Sequence, residues 1–257
     1  MPDILVTRQD SVAIVSLNRP AVRNAVTLAM WRELAMIYSK LADDDEVRAI
    51  VLAGSGADFS VGADISEFDT IRDNREQSAA YEVSVDACSA AIAGIAKLVI
   101  AAISGYCLGG GCHLALACDF RFANHTSRIG IPSAKLSIVY GVKSVQRLLA
   151  LAGLANAKRV LYSGERFDAA RAQAMGLVDE VCDDAIPTAV AFAKNLAGNA
   201  PLSIAGAKFM LNGLAMGNGA LDVSAAERLI DQASDSEDFR EGRRAFAEKR
   251  PPRFRGR

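Results

Sequence analysis

Hydrophobic and polar positions follow two different periods in the first part of the chain, and together these periods predict strands interleaved with helices. Residues 12–17 form an apolar run that is typical of a strand, and residues 4–8 are predicted to pair with it through a turn at Asp10 and Ser11. A helix is predicted to begin after Thr27, which is a good N-cap, and to end at the acidic cluster of residues 43–46. The apolar residues of that helix recur at helical spacing, namely Leu28, Trp31, Leu34, Tyr38 and Leu41.

The next elements continue the same alternation. Apolar runs at residues 47–53 and 98–104 predict two buried strands, and a long helical pattern that ends near Lys97 lies between them. Residues 120–123 and 128–130 are predicted to be two further short strands. The polar stretch 65–75 lacks a clear period and is either a mobile flap over a site or a plain surface loop. Strands alternating with helices predict an α/β core.

Helical patterns dominate from Lys143 onward, with a short strand predicted within residues 177–182. Helix-breaking residues divide this half into several helices, namely Gly153, Gly164, Gly176, Pro187, Pro201 and Asn218. No linker rich in proline, glycine or serine separates the two halves. We expect a core domain over residues 1–195 and a C-terminal helical region over residues 196–257.

Composition excludes several classes of protein. With 257 residues, of which 51% are hydrophobic and 23% charged, the chain can bury a full core. The net charge is -1 and basic residues cluster only at the very end, so we expect no nucleic-acid partner. The first ten residues carry charge and do not resemble a secretory signal, and no apolar run is long enough for a membrane span. We therefore expect a cytoplasmic protein without a membrane partner.

Cysteine and histidine usage gives no indication of a metal site. Five cysteines, three of which (Cys107, Cys112 and Cys118) lie in one apolar segment, are better explained as reduced buried thiols than as a disulfide framework. The chain has no Cys-x-x-Cys motif and only two histidines. We expect no bound metal.

The most informative segment is the glycine run Gly109 to Gly111, which opens an apolar helical stretch. Glycines at a helix start expose bare backbone N–H groups at the positive end of the helix dipole. A Walker phosphate loop is excluded because Cys112 and His113, not lysine and serine or threonine, follow the run. A dinucleotide-binding motif starting at Gly54 and Gly56 is excluded, because Phe59 stands where its third glycine is required. Close strand-to-helix packing without a ligand remains an alternative.

Five segments in the same order and spacing resemble the crotonase, or enoyl-CoA hydratase/isomerase, superfamily. They are Leu-Asn-Arg-Pro at 17–20 with Arg-Asn-Ala at 23–25, Phe-Ser-Val-Gly-Ala-Asp-Ile at 59–65, Ser-Gly-Tyr-Cys-Leu-Gly-Gly-Gly-Cys-His at 104–113, Ala-Cys-Asp at 117–119 and Phe-Ala-Glu-Lys-Arg at 246–250. The resemblance implies a spiral of ββα units with a C-terminal helical trimerisation region. It also implies a homotrimer or homohexamer that acts on an acyl-CoA thioester, with coenzyme A as part of the substrate and no separate cofactor.

The resemblance also implies where the thioester binds. The N–H groups of Ala63 and Gly110 would form an oxyanion hole for the thioester oxygen, in which each donor contributes about 3 kcal/mol in comparable enzymes. The coenzyme A moiety would bind near six further residues, namely Arg23, Ala25, Asp64, Ile65, Ser66 and Lys249. Arg23 and Lys249 are alternatively ordinary solvated charges. Asp64 and Asp119 belong to the motifs but are expected to hold turns.

The chain departs from the hydratase pattern at the two positions that carry glutamates in family hydratases. His113 stands at the first and Ser133 at the second, and Tyr140 lies at the end of the same loop as Ser133. Losing a positioned acid or base typically costs about 10²–10⁴ in rate. Histidine can transfer protons near neutral pH, but His113 is alternatively a satisfied core residue, Ser133 a small loop residue and Tyr140 a packing aromatic.

Three functions therefore remain open at the level of sequence. The first is an enoyl-CoA hydratase-like lyase in which His113 is the one proton-transfer group. The second is a decarboxylase or isomerase of an acyl-CoA that uses the oxyanion hole without a glutamate base, with Tyr140 or His113 orienting or reprotonating the substrate. The third is a non-catalytic acyl-CoA-binding protein.

Overall fold

The computed structural model describes residues 1–217 and 219–257, and Asn218, one of the predicted helix breaks, lies outside the described residues. The strands are β1 (Ile4–Gln9), β2 (Val12–Leu17), β3 (Ala49–Gly54), β4 (Leu98–Ile103), β5 (Tyr106–Leu108), β6 (Phe120–Asn124), β7 (Arg128–Gly130), β8 (Phe167–Asp168) and β9 (Glu180–Cys182). The helices are α1 (Leu28–Ala42), α2 (Phe68–Ile71), α3 (Arg75–Gly94), α4 (Gly110–Ala117), α5 (Val142–Ser163), α6 (Ala169–Ala174), α7 (Ala185–Ala197), α8 (Pro201–Ala215), α9 (Val223–Ser234) and α10 (Glu237–Glu248). None of the helices in the described ranges is both long enough and apolar enough to cross a lipid bilayer.

The strands form two sheets. The larger sheet has the order β1-β2-β3-β4-β6-β9, and the smaller has the order β5-β7-β8. The opening hairpin is confirmed: β1 pairs antiparallel with β2, and Asp10 takes the left-handed backbone conformation in the turn. From β2 onward the strands of the larger sheet are parallel. This is the α/β arrangement that the alternating pattern predicts.

The central strands β3 and β4 of the larger sheet are buried on both faces because helices cover each side. Ile50 and Leu52 of β3 point into the core formed with α1, α3 and α4. Ala49 and Val51 point to the opposite face, where α7 packs. Alternate residues of a strand face opposite sides of a sheet, so a strand covered on both sides is apolar throughout. This explains why residues 47–53 read as one continuous apolar run.

Several predicted boundaries differ from the structure. The strand β5 lies between β4 and the glycine run, and the sequence pattern did not predict it. Residues 65–75 contain a short 3-10 turn and α2 rather than an irregular stretch. Pro187 does not break a helix, because it stands in the first turn of α7, where proline costs no hydrogen bond. The predicted division between residues 195 and 196 falls in the last turn of α7 and stays a prediction.

A buried ion pair ties the C-terminal helices to the core. The ammonium group of Lys208, on α8, donates to Asp119 Oδ2 and to the Lys97 carbonyl, at 2.9 Å each. Asp119 also accepts a 2.8 Å hydrogen bond from the N–H of Val99 in β4. Burial raises the pKa of Asp119, and Lys208 partly opposes that rise. Asp119 therefore holds α8 against the start of β4.

We predict that Lys208→Met destabilises the protein by about 3 kcal/mol at pH 7, because it leaves the Asp119 carboxylate buried without its counter-ion. Urea unfolding followed by circular dichroism measures the loss. The double variant Lys208→Met, Asp119→Asn removes the charge as well and should recover part of the stability. Equal unfolding midpoints for the wild type and Lys208→Met would contradict the prediction.

Candidate active site

A cavity of about 120 Å³ lies where the start of α4 meets α3, the loop before residue 65 and the segment that leads into α5. Six of the residues selected from the sequence line it, namely Ala63, Ile65, Gly110, His113, Ser133 and Tyr140. The other five do not line it, namely Arg23, Ala25, Asp64, Ser66 and Lys249. The fold thus brings together all five residues predicted to be catalytic.

Each glycine of the run is required for a different physical reason. Gly109 caps α4 with φ 51° and ψ −116°, a backbone conformation that a residue with a side chain avoids. A Cβ on Gly110 would lie 3.0 Å from the Trp31 ring and 3.1 Å from the Ala63 nitrogen. A Cβ on Gly111 would lie 2.6 Å from the Ser60 carbonyl oxygen. The run therefore permits both the turn and the close approach of the loop that carries Ala63.

Two backbone N–H groups beside the cavity have no acceptor among the described residues. Ala63 forms a parallel bridge with Val26, but the hydrogen bonds of this bridge use the Gly62 carbonyl and the Asp64 N–H. The N–H of Ala63 itself stays unpaired. Gly110 is the first residue of α4, so its N–H has no partner within the helix. Ala63 and Gly110 both line the cavity, so each N–H group is a candidate donor to a bound acceptor.

His113 is held as a neutral imidazole. Its Nδ1 lies 2.5 Å from Ser144 Oγ, and its Nε2 is buried without a hydrogen-bond partner in the part of the chain that the structure describes. Burial, and next the positive charge of Arg147, lower the pKa of His113 to about 4. An imidazole with this pKa is almost never in the acidic imidazolium form near neutral pH, and it is a weak base. These properties argue against His113 as the proton-transfer group.

Tyr140 and Ser133 complete the wall opposite α3. The Tyr140 hydroxyl donates a 2.7 Å hydrogen bond to the Gly109 carbonyl, and burial raises the pKa of Tyr140 well above its usual range. Tyr140 therefore stays protonated and supports the glycine turn. Ser133 is buried in the 3-10 turn Pro132–Leu136, whose backbone it closes by accepting from the Ile138 N–H at 3.0 Å.

Asp64 holds a turn, as its structural interpretation predicted. Its carboxylate accepts from the Ser66 hydroxyl at 2.6 Å and from the Arg19 guanidinium at 2.7 Å. These two partners, Ser66 first, lower the pKa of Asp64. Arg19 also donates to the Ala25 carbonyl at 2.8 Å and so ties that segment to the loop of Ala63.

The two basic residues selected for coenzyme A lie outside the cavity. The Arg23 guanidinium is more than half exposed, stacks 5.0 Å from the Tyr106 ring centroid and approaches Asp58 at 3.8 Å. Lys249 is exposed and ends α10 in a left-handed conformation. Their predicted roles toward coenzyme A stay predictions.

A charged pair that was not predicted from the sequence, Arg72 and Glu82, lines the cavity. Arg72 Nη2 donates to Glu82 Oε1 at 2.7 Å, and the guanidinium lies 5.0 Å from the Tyr81 ring centroid. Glu82 directly follows Tyr81 at the edge of the buried stripe of α3, which includes Val85. A charged residue at the edge of an apolar helix face was the available signal. It is weak because surface helices also place charges there.

Comparisons with known proteins agree with this architecture. A family model described as enoyl-CoA hydratase/isomerase matches residues 7–257. The chain is 34% identical over 267 residues to the 2,3-dehydroadipyl-CoA hydratase of Escherichia coli, with 100% of both chains covered. A structure of an enoyl-CoA hydratase/carnithine racemase from Magnetospirillum magneticum matches with a TM-score of 0.93 and 35% identity, covering 100% of this chain and 97% of that chain. An enoyl-CoA hydratase from Bacillus anthracis matches with a TM-score of 0.88 and 32% identity, covering 100% of both.

We predict that His113 makes stability fall between pH 6.5 and pH 4. In the unfolded chain the imidazole binds a proton near pH 6.5, but in the folded protein it stays neutral down to about pH 4. The unfolded state therefore binds more protons in this window, which lowers the free energy of unfolding by on the order of 3 kcal/mol as the pH falls. Urea titrations of the wild type and His113→Gln at pH 7.5, 5.5 and 4 measure their free energies of unfolding, which should approach each other as the pH falls. A constant difference between the two free energies across this pH range would contradict the prediction.

Proposed function

Because this chain belongs to the enoyl-CoA hydratase/isomerase family, we propose that it binds an acyl-CoA thioester in the cavity beside α4 and converts it through a thioester enolate. The fold class predicted from the sequence is confirmed by the match over residues 7–257 and by the structural matches. Membership supports an enzyme that acts on an acyl-CoA. Coenzyme A enters as part of the substrate, so the proposal needs no separate cofactor.

The observation that carries the proposal is the pair of unpaired N–H groups of Ala63 and Gly110. A thioester oxygen that accepts hydrogen bonds from both groups would be stabilised as negative charge develops on it. This stabilisation is larger in a cavity with few polar groups than in water. A Cβ on Gly62 would lie 2.8 Å from the Gly110 nitrogen, so the two loops are in direct contact. This closeness supports one shared acceptor.

The reaction that we propose first is hydration of an enoyl-CoA, which makes the protein a hydratase-like lyase. The support is the similarity over the whole chain to proteins named as a 2,3-dehydroadipyl-CoA hydratase and an enoyl-CoA hydratase. The test is to mix the protein with a short trans-2-enoyl-CoA and to follow the loss of conjugated absorbance. Tight binding of the thioester without any turnover would support a non-catalytic binding protein instead.

A second candidate, migration of a double bond within an enoyl-CoA, is favoured by one specific observation. Among the described residues, Glu82 is the only carboxylate that lines the cavity. Water addition by the usual family route uses two carboxylates, whereas moving one proton between two carbons needs a single proton-transfer group. Incubation with a 3-enoyl-CoA and mass-resolved chromatography would separate isomerisation from hydration, because only hydration changes the mass.

The proposal includes self-association into a trimer or a hexamer. Large apolar side chains stay exposed on α8 and α10 in the single chain, namely Phe209, Leu211, Leu214, Phe239 and Phe246. Exposed apolar surface of this kind is typical of interaction sites. Light scattering coupled to size-exclusion chromatography measures the mass of the assembly.

We predict that Gly110→Ala lowers kcat by about 10²–10³, the effect expected when one oxyanion donor is lost. The added methyl group would enter the space between Trp31 and the Ala63 nitrogen. Gly94→Ala is the matched control, because a Cβ there meets no atom within 4 Å. Steady-state kinetics with the enoyl-CoA that the wild type turns over checks the prediction, and full activity of Gly110→Ala would contradict the oxyanion assignment.

A further inference from the structure

Among the described residues, one carboxylate lines the cavity, and it comes from an element that carries none of the motif residues. Glu82 lies on α3, and α3 packs against α1 and near α4. Its side chain is half-buried, with 38% of its surface exposed. The other polar side chains of the cavity are poorer candidates for proton transfer. The Tyr140 hydroxyl is bonded to the Gly109 carbonyl, and His113 is a weak base bonded to Ser144.

The two oxygens of Glu82 have different environments. Oε1 accepts the 2.7 Å hydrogen bond from Arg72, which holds the carboxylate in place. Oε2 accepts no hydrogen bond from the residues that the structure describes, and it faces Gly141, where an added Cβ would lie 3.6 Å away. Gly141 is the N-cap of α5, so the positive end of that helix dipole favours the ionised carboxylate. One oxygen is anchored and the other is free to exchange a proton.

We propose that Glu82 is the proton-transfer group of this enzyme and takes over the work of the two absent glutamates. The inference rests on the proposed function, since it needs a thioester in the cavity. It assigns a catalytic role to a residue outside the glycine-bearing motifs. Tyr140 then acts as a positioning residue that supports the glycine turn, and His113 and Ser144 hold each other in the cavity wall.

The proton and electron changes balance with Glu82 alone. In hydration, Oε2 takes a proton from water while the water oxygen bonds to C3, and the π electrons move through C2 to the thioester oxygen. The enolate then collapses, and Glu82 returns the same proton to C2. In isomerisation, Glu82 takes a proton from C2 of a 3-enoyl thioester and returns it to C4. In both reactions the carboxylate is regenerated.

The electrostatic surroundings of Glu82 are consistent with this role. Burial is the largest effect and raises the pKa of Glu82, Asp86 on the next turn of α3 also raises it, and Arg72 lowers it. Asp86 is itself within 3.4 Å of Lys143 on α5. From α4, the neutral His113 contributes no charge. A carboxyl group with a raised pKa is a stronger base when ionised and a usable acid when protonated.

The decisive experiment measures enolate formation without depending on the reaction type. Saturated butyryl-CoA is incubated with the enzyme in D₂O, and deuterium incorporation at C2 is followed by mass spectrometry. We expect Glu82→Gln to slow the exchange by about 100-fold or more, with the Kd for butyryl-CoA by calorimetry unchanged within twofold. Glu76→Gln, an exposed position on the same helix, is the matched control and should exchange like the wild type.

The outcomes separate this inference from the proposed function. Exchange by Glu82→Gln within tenfold of the wild-type rate would overturn the role of Glu82 and leave the enolate mechanism intact. Absence of exchange by the wild type, despite binding, would overturn enolate formation and the role of Glu82 with it. A loss of tenfold or more with unchanged binding supports the inference.

A pH profile provides a readout that a purely structural role would not change. The exchange rate falls as the pH drops through the pKa of the base. Arg72→Met removes the charge that lowers the pKa of Glu82. In this variant the fall of the exchange rate at low pH, the acid limb of the pH profile, should therefore move to higher pH. Arg147→Met removes a charge that acts on His113 and should leave the limb in place. The reverse pattern would identify His113 as the base and overturn the inference. This test does not need the Glu82→Gln variant, so it holds even when that variant fails to fold.

Discussion

The contact between two backbone turns is the constraint on which the rest of this structure depends. The loop of Ser60 to Asp64 lies against the strand and turn that lead into α4, and short parallel bridges hold it there on both sides. Val26 bonds to Gly62 and Asp64, and Ser60 bonds to Tyr106 and Leu108. In these bonds the N–H groups of Ser60 and Asp64 are paired, whereas the N–H group of Ala63 has no acceptor among the described residues. The site is therefore a consequence of how the backbone pairs, and side chains complete it.

His113, Tyr81 and Tyr140 are kept in their neutral forms because their surroundings in the cavity wall are poorly solvated. Burial lowers the pKa of His113 to about 4 and raises the pKa of Tyr81 to about 12. The same cause raises the pKa of Glu82 against the influence of Arg72. In such surroundings, fixed dipoles stabilise a developing negative charge more than they would in water. The environment that weakens His113 as a base thus favours the proposed roles of the two backbone N–H groups as donors and of Glu82 as the base.

Support for the site comes both from residues that line it and from Asp119, which does not. Tyr140 bonds to the Gly109 carbonyl, and Trp31 donates to the Tyr81 hydroxyl at 2.8 Å, which links α1 to α3 in the cavity wall. Asp119, a motif residue without access to the cavity, bonds α8 to the start of β4 through Lys208. Motif residues therefore divide into a pair that offers backbone donors and others that hold the elements around that pair.

The sequence by itself determined most of the alternating strands and helices, the buried central strands, the family and the two glycine-bearing turns beside the cavity, but not β5 or α2. It could do so because periodicity, capping residues and glycine runs act locally, within one or two turns of chain. Tertiary structure decided which side chains share the cavity and in which protonation states. Glu82 enters it because α3 packs near α4, and the pKa of His113 depends on burial and on Arg147, which lies 34 positions away. Proximity and solvation are properties of the packed chain, so no local pattern encodes them.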